Sequence, residues 1–177
     1  LKSMKRILRF TLAVAGLVVL GSSASFAQKF GYINSQELIF SMPEMDDVRA
    51  KYEAVNKDLN EEYELMMVEY NNKLNDYTTN SATMSDTTKK LKEEELQKLI
   101  QRIQEFQEAA PQMLQEENAK LMAPVIEKAR EAINKVSKAN GFTAVFDLST
   151  GPLAFYSESA MTNLLPLVQS DLGIQPK

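Results

Sequence analysis

The chain has 177 residues, with 20 basic and 24 acidic side chains, 44% hydrophobic residues, and no Cys, His or Trp. Without Cys or His, the sequence excludes thiol nucleophiles, Ser-His-Asp relays, zinc fingers, and metal or haem sites with His ligands. The length suits one domain of ordinary size.

The first 27 residues have the three-part layout of a secretory signal peptide. Residues 4–6 are a basic start, residues 7–20 are mostly apolar, and a run of small residues ends at Ala27. A membrane anchor is the alternative, but about 14 apolar residues interrupted by Arg9 are fewer than the roughly 20 that span a bilayer. We therefore expect translation to start at Met4, cleavage after Ala27, and a mature chain that begins at Gln28.

Removal of that segment makes the chain more acidic. Residues 1–27 contain four basic residues and no acidic one, so the net charge changes from −4 to −8. Binding of nucleic acid needs clustered Lys and Arg against the phosphates, so no nucleic-acid partner is expected. An exported chain without disulfides must be held together by packing or by oligomerisation.

The mature chain is predicted to begin with a strand and then a long helix. Residues 30–34 read as a strand, residues 34–37 resemble a capping box, and Pro43 suits the first turn of the next helix. An apolar stripe with a mean step near 3.6 residues then predicts a helix of roughly 35 residues. It contains Val48, Tyr52, Val55, Leu59, Tyr63, Met66, Tyr70, Leu74 and Tyr77. Residues 78–86 are short and polar, and they predict a turn.

A second periodic run predicts a helix of about 50 residues that ends at the left-handed cap signal Asn140-Gly141. Pro111 and Pro124 lie inside it, so a bend is expected. The two runs carry net charges of −5 and +1, which favours antiparallel contact, and residues 124–140 are expected to pack onto the compact part. The stripe contains Leu96, Leu99, Ile103, Phe106, Ala110, Met113, Leu121, Val125, Ala129, Ile133 and Val136.

The last part returns to strand patterns. Residues 142–148 alternate, and a turn at 149–152 leads into residues 153–156, which predicts a β-hairpin. Asn163 is expected to cap a final helix that ends at Gly173. Three strands with so little cover are marginal alone, so oligomerisation through the strands is expected.

These elements predict an α+β fold: a long antiparallel helical hairpin on a small β body. We expect the body to comprise residues 28–45 and 125–177, and the arm residues 46–124 with its tip near 78–86. We refer to these two parts below as the body and the arm. The body residues Phe30, Tyr32, Ile33, Phe142, Phe146 and Phe155 are the expected oligomerisation set, since a three-stranded sheet cannot cover so many aromatic rings.

This order of elements resembles the Skp (OmpH) family of periplasmic chaperones over essentially all of residues 29–174. The most specific segments are Phe30-Gly31-Tyr32-Ile33-Asn34-Ser35, residues 124–133, and residues 140–147. The resemblance implies a periplasmic homotrimer in which the strands form a central β-barrel. It also implies that three arms enclose a cavity that holds unfolded outer-membrane proteins without ATP.

The charge of this chain departs from that family's better-known members, which carry basic arm tips linked to lipopolysaccharide and membrane binding. Here the tip has only Lys89 and Lys90 beside Asp76 and Asp86. We therefore transfer no lipid site to this chain, and contact with a membrane or with lipopolysaccharide is left undecided.

Met and Tyr side chains on the arm have two interpretations. They could give clients an adaptable apolar surface, or they could fill the seam between the two helices. The seam is favoured for residues on the stripes, whereas Met67 lies off the stripe and is expected to face the cavity. The expected client contacts are Met66, Met67, Tyr70, Tyr77 and Met113.

No catalytic, cofactor or metal site is predicted. Glu61–Glu62 and Glu93–Glu95 are adjacent carboxylates that a helix directs to different sides, so a solvated face is favoured. Asp147 follows a strand but has no His or Cys to assist it, and the chain has no Gly-rich phosphate loop. A holdase for unfolded envelope proteins is the leading function. A structural or adaptor coiled coil is the alternative, and an enzyme is not expected.

Overall fold

The structure is a computed structural model that describes residues 28–151 and 153–175, so the predicted signal peptide lies outside the described residues. The elements are, in chain order, β1 (Lys29–Ile33), α1 (Ser35–Ser41), α2 (Glu44–Asn80), α3 (Asp86–Ala139), β2 (Phe142–Asp147), β3 (Thr162–Asn163) and α4 (Leu165–Asp171). Short 3₁₀ turns lie at Ser81–Thr83 and Glu158–Ala160.

The predicted long helical hairpin is confirmed. Helices α2 and α3 contain 37 and 54 residues, and they run antiparallel because Tyr63 meets Gln107 while Glu44 meets Lys128. At the tip between them, Ser85 caps the start of α3, and its hydroxyl accepts a hydrogen bond from the Thr88 N–H at 3.2 Å. The stripe residues of α2 are buried or half-buried, as a seam requires.

The predicted helix ends are also in place. Asn34 accepts from the Glu37 N–H at 3.1 Å and caps α1. Helix α3 ends at Ala139, and Gly141 has a φ of 69°, in the left-handed region that glycine tolerates. Pro111 and Pro124 both lie inside α3, which continues through them.

The inner end of α3 packs onto the body, as expected from its excess length. The largest apolar cluster joins β1, α1, the start of α2, the end of α3 and α4, and Ile33, Leu38, Leu164 and Val168 are its most deeply buried members. The other buried members are Met42, Val48, Val125, Ala129, Ala132 and Val136. The root of the arm and the body therefore share one core.

The sheet differs from the predicted hairpin. Strand β1 lies in the centre and pairs in parallel with β2 on one side and with β3 on the other. A parallel pair needs a long crossover connection, and here residues 34–141, the whole helical hairpin, connect β1 to β2. The prediction of a β-hairpin over residues 142–156 is wrong.

Residues 153–156 lack strand structure because the chain leaves the sheet after β2. The Ser149 N–H and hydroxyl donate to the Asp147 carboxylate and form a tight turn at the strand end. Tyr156 instead packs its ring against Tyr32, with the centroids 5.1 Å apart. The apolar run at residues 153–156 thus contacts the sheet through the Tyr156 ring without adding a strand to it.

Gly31 allows a close approach in the middle of the sheet. A Cβ atom at this position would overlap a methyl carbon of Leu164 and lie about 3 Å from the ring of Phe142. Because Leu164 is fully buried, it has little room to move away. The absence of a side chain at Gly31 lets the start of α4 pack directly on the central strand.

Candidate functional site

The tip half of the arm is held in register by polar contacts between its helices. Asp76 pairs with Lys92 at 3.0 Å, and the Tyr77 hydroxyl donates to Glu93. The hydrogen bond from Lys92 lowers the pKa of Asp76, while the bond to Glu93 raises the pKa of Tyr77. These groups lie at the surface, with Asp76 and Glu93 exposed and Lys92 and Tyr77 half-buried. Their contacts therefore add little stability and mainly fix which residues of the two helices lie side by side.

Below the tip, both helices contribute to an apolar cluster. Met66 is only 3% exposed, and Met67 and Tyr70 pack against the same buried group. Met67 lies beside the predicted stripe, and its half-buried side chain packs against this cluster, so its expected contact with clients stays a prediction. The other members are Tyr63, Leu99, Ile103 and Phe106.

The remaining two predicted client contacts, Tyr77 and Met113, lie outside that cluster. Tyr77 is half-buried and keeps its hydroxyl on Glu93. Met113 is 50% exposed, whereas the adjacent Leu114 is half-buried and takes the seam position. The stripe as predicted therefore slips by one residue after Pro111, and this slip leaves Met113 on the surface.

Sequence reasoning missed most of the exposed apolar side chains of the arm. Leu65 is 65% exposed, and Val68, three residues later, shares its face of α2, which points away from the seam. Their signal in the sequence is that they fall out of phase with the stripe. The exposed apolar residues of the arm are Leu65, Val68, Leu91, Ile100 and Met113.

A cleft of about 450 Å³ opens between α2 and α3 near the middle of the arm. We call it the mid-arm cleft. Its apolar walls are Leu59, Tyr63, Phe106, Ala110, Pro111 and Leu114. Three primary amides, of Asn56, Asn60 and Gln107, complete the lining.

The body presents an aromatic face around its sheet. Phe155 is 84% exposed and Phe146 is 38% exposed, and the ring of Phe146 lies 6.4 Å from that of Phe30. Tyr32 and Phe142 are half-buried, whereas Ile33 is buried inside the core of the subunit. Of the expected oligomerisation set, Ile33 is therefore not accessible to a partner chain in this subunit.

Asp147, the last residue of β2, has a structural role that explains its place at the end of a strand. Burial raises its pKa, but hydrogen bonds from Ser35 and Ser149 outweigh that effect and hold the pKa below its ordinary value. The Ser35 N–H, in the first turn of α1, donates to its carboxylate at 3.1 Å. The carboxylate thus joins the end of β2 to the start of α1.

The part of the chain that the structure describes contains neither a metal-binding cluster nor a membrane-spanning helix. Within residues 28–151 and 153–175, no three or more Asp or Glu side chains are grouped in a way that could hold a metal ion. None of the helices over those residues combines the length and apolar character needed to cross a membrane.

Comparison with known proteins identifies the family. The family described as outer membrane protein (OmpH-like) matches residues 29–170, which is well over half of the chain. No curated protein matches. Among solved structures, a candidate outer membrane chaperone (OmpH-like) from Caulobacter crescentus CB15 has the same fold, with a TM-score of 0.69 and 13% identity over 86% of this chain and 88% of that one. The chain therefore belongs to the OmpH-like outer membrane protein family.

Proposed function

We propose that this protein is a non-enzymatic, ATP-independent holdase of the periplasm that binds unfolded outer-membrane proteins between helical arms. The observation that carries the proposal is the set of exposed apolar side chains on the arm, of which Leu65 and Val68 lie opposite the seam. A helix that only had to pack against one partner would need no apolar residues on its outer face. Membership of the OmpH-like family and the chaperone description of the protein with the same fold agree with this role.

The active form in this proposal is a homotrimer with a shared β-barrel. The open three-stranded sheet has two edge strands, β2 and β3, and edge strands readily pair with another chain. Phe146, on the edge strand β2, and Phe155, in the segment between β2 and β3, add exposed aromatic surface to the body. Pairing of three bodies would cover these rings and set three arms around a common space.

Export through the signal peptide completes the proposal. Cleavage after Ala27 would release a chain that starts at Gln28, and β1 begins at the next residue, Lys29. The mature chain then carries −8, without the four basic residues of the leader.

Capture of clients is expected to depend on apolar contact rather than on charge. Because the mature chain is acidic, an acidic unfolded client is repelled at long range, and salt screens that repulsion over a Debye length of about 10 Å at about 0.1 M. Raising salt from about 0.02 to about 0.3 M should leave the affinity unchanged or tighter. Titration of a fluorescent client measures this, with a basic-tipped relative as the control that should weaken. A marked loss of affinity with salt would point instead to a positive patch, with Lys89 and Lys90 as the first residues to substitute.

The direct test of the holdase role uses purified mature protein without nucleotide. A urea-unfolded outer-membrane β-barrel protein is diluted into buffer, and light scattering follows its aggregation. A holdase suppresses the scattering of several different clients, whereas an equal amount of a folded acidic protein does not. An adaptor coiled coil would leave the scattering of every client unchanged, and that result would reject the proposal.

A further inference from the structure

We propose that the mid-arm cleft is a binding site for a neutral aromatic side chain of an unfolded client. This inference rests on the proposed holdase function and adds a defined site to it. The cleft lies between the apolar cluster at Met66 and the core shared by the root of the arm and the body. It is therefore a break in the seam, bordered on one side by Tyr63 and Phe106 of the Met66 cluster.

The packing of the arm explains why the cleft is open. Among the described residues, none of α2 between Val48 and Met66 is buried, and none of α3 between Ile103 and Val125 is buried. At the centre of this stretch, the small Ala110 leaves space that a larger residue would fill. The resulting volume of about 450 Å³ falls in the range of ordinary ligand pockets.

The residues that line the mid-arm cleft disfavour a charged occupant. None of the nine lining residues is ionisable at neutral pH, although a quarter of the chain is charged and Lys57, Asp58 and Glu108 are sequence neighbours of lining residues. A charged side chain entering the cleft would lose water without gaining a counter-ion, which is costly. A neutral side chain avoids that penalty.

Two features of the walls favour an aromatic occupant over an aliphatic one. The rings of Tyr63 and Phe106 both line the cleft, and ring–ring contacts add stabilisation beyond the area they bury. The Gln107 amide donates to the Tyr63 hydroxyl at 3.0 Å, which holds that ring in place. Transmembrane β-barrel proteins carry girdles of aromatic residues, so their unfolded chains supply such side chains.

The first experiment uses N-phenyl-1-naphthylamine, a neutral aromatic probe that fluoresces in apolar surroundings. The chain contains no Trp, so the signal of the probe is free of Trp emission. Ala110→Leu fills the cleft and should weaken saturable probe binding about tenfold. Ala109→Leu is the matched control, because Ala109 is exposed on the same helix, and it should bind the probe like the unmodified protein. Equal binding by both variants would overturn the proposal.

A second variant keeps the test decisive if Ala110→Leu disturbs folding. Gln107→Glu preserves size and can still pair with the Tyr63 hydroxyl, but it places a carboxylate on the wall of the cleft. We expect it to retain the circular dichroism of the unmodified protein and to weaken probe binding about tenfold. Unchanged probe binding in a folded Gln107→Glu variant would also reject the cleft as the site.

Client binding separates this inference from the proposed function. An unfolded outer-membrane protein should bind the folded Ala110→Leu or Gln107→Glu variant several-fold more weakly than it binds Ala109→Leu. If both cleft variants bind clients and suppress aggregation like Ala109→Leu, the cleft inference fails and the holdase function stands. If the unmodified protein suppresses no aggregation, the holdase function itself fails, whatever the probe does.

Discussion

Phe146→Asp is expected to convert the proposed trimer into single chains that remain folded. Phe146 lies on the edge strand β2 with 38% of its surface exposed, so a carboxylate there is tolerated in an isolated subunit. In the proposed barrel the same carboxylate would be buried against a neighbouring chain without a partner, at a cost of several kcal/mol. Light scattering measures the mass in solution, and circular dichroism confirms that the helices persist.

The control for this prediction is Leu65→Asp, which places the same charge on the outer face of the arm. Leu65 is 65% exposed and lies far along α2 from the sheet, so this variant should stay trimeric. A Phe146→Asp protein that keeps the mass of the trimer would show that β2 is not at a subunit contact.

Leu38→Ala is expected to lower the free energy of unfolding by about 2–5 kcal/mol. Leu38 is fully buried in α1 and belongs to the cluster that joins the sheet, the end of α3 and α4. Truncation removes apolar contacts and leaves a cavity that these elements cannot close without moving together. Urea unfolding followed by far-ultraviolet circular dichroism measures the loss, at one fixed protein concentration because an oligomer gains stability with concentration.

Leu65→Ala makes the same chemical change on the exposed face of α2, and it should alter the free energy of unfolding by no more than about 0.5 kcal/mol. Similar losses in the two variants would mean that the shared core does not determine the stability of the subunit.

The arm was predictable from the sequence because its signals are local. A stripe with a 3.6-residue period, from Val48 to Tyr77, needs only the geometry of a helix to predict which face is buried. The ends are local signals too: Asn34 caps α1, and Gly141 and Gly173 take the left-handed conformations expected of residues that end helices.

The features that the sequence did not predict depend on contacts between distant segments. Residues 142–148 alternate like a strand and residues 153–156 form a short apolar run, but pairing in the sheet depends on β1, more than a hundred residues earlier. The choice between Met113 and Leu114 for the seam depends on the register of α3 against α2, which periodicity alone leaves ambiguous after Pro111. The packing of Met67 was also not predicted, because the seam includes residues that lie beside the predicted stripe as well as those on it.

The exposed surfaces also explain why the site was harder to predict than the fold. Periodicity finds residues that are buried, whereas a surface for varied clients consists of apolar residues that escape burial, such as Leu65 and Val68. The mid-arm cleft depends on the small side chain of Ala110, at a position where the stripe predicts only that the residue is apolar. Its volume could be seen only once the two helices were placed side by side.

The central claim is that three chains together enclose one unfolded client, and native mass spectrometry of the purified complex tests it most directly. The account predicts a species whose mass equals three mature chains plus one outer-membrane protein, formed without nucleotide. Complexes of one chain with one client, or no complex with any unfolded β-barrel protein, would contradict it.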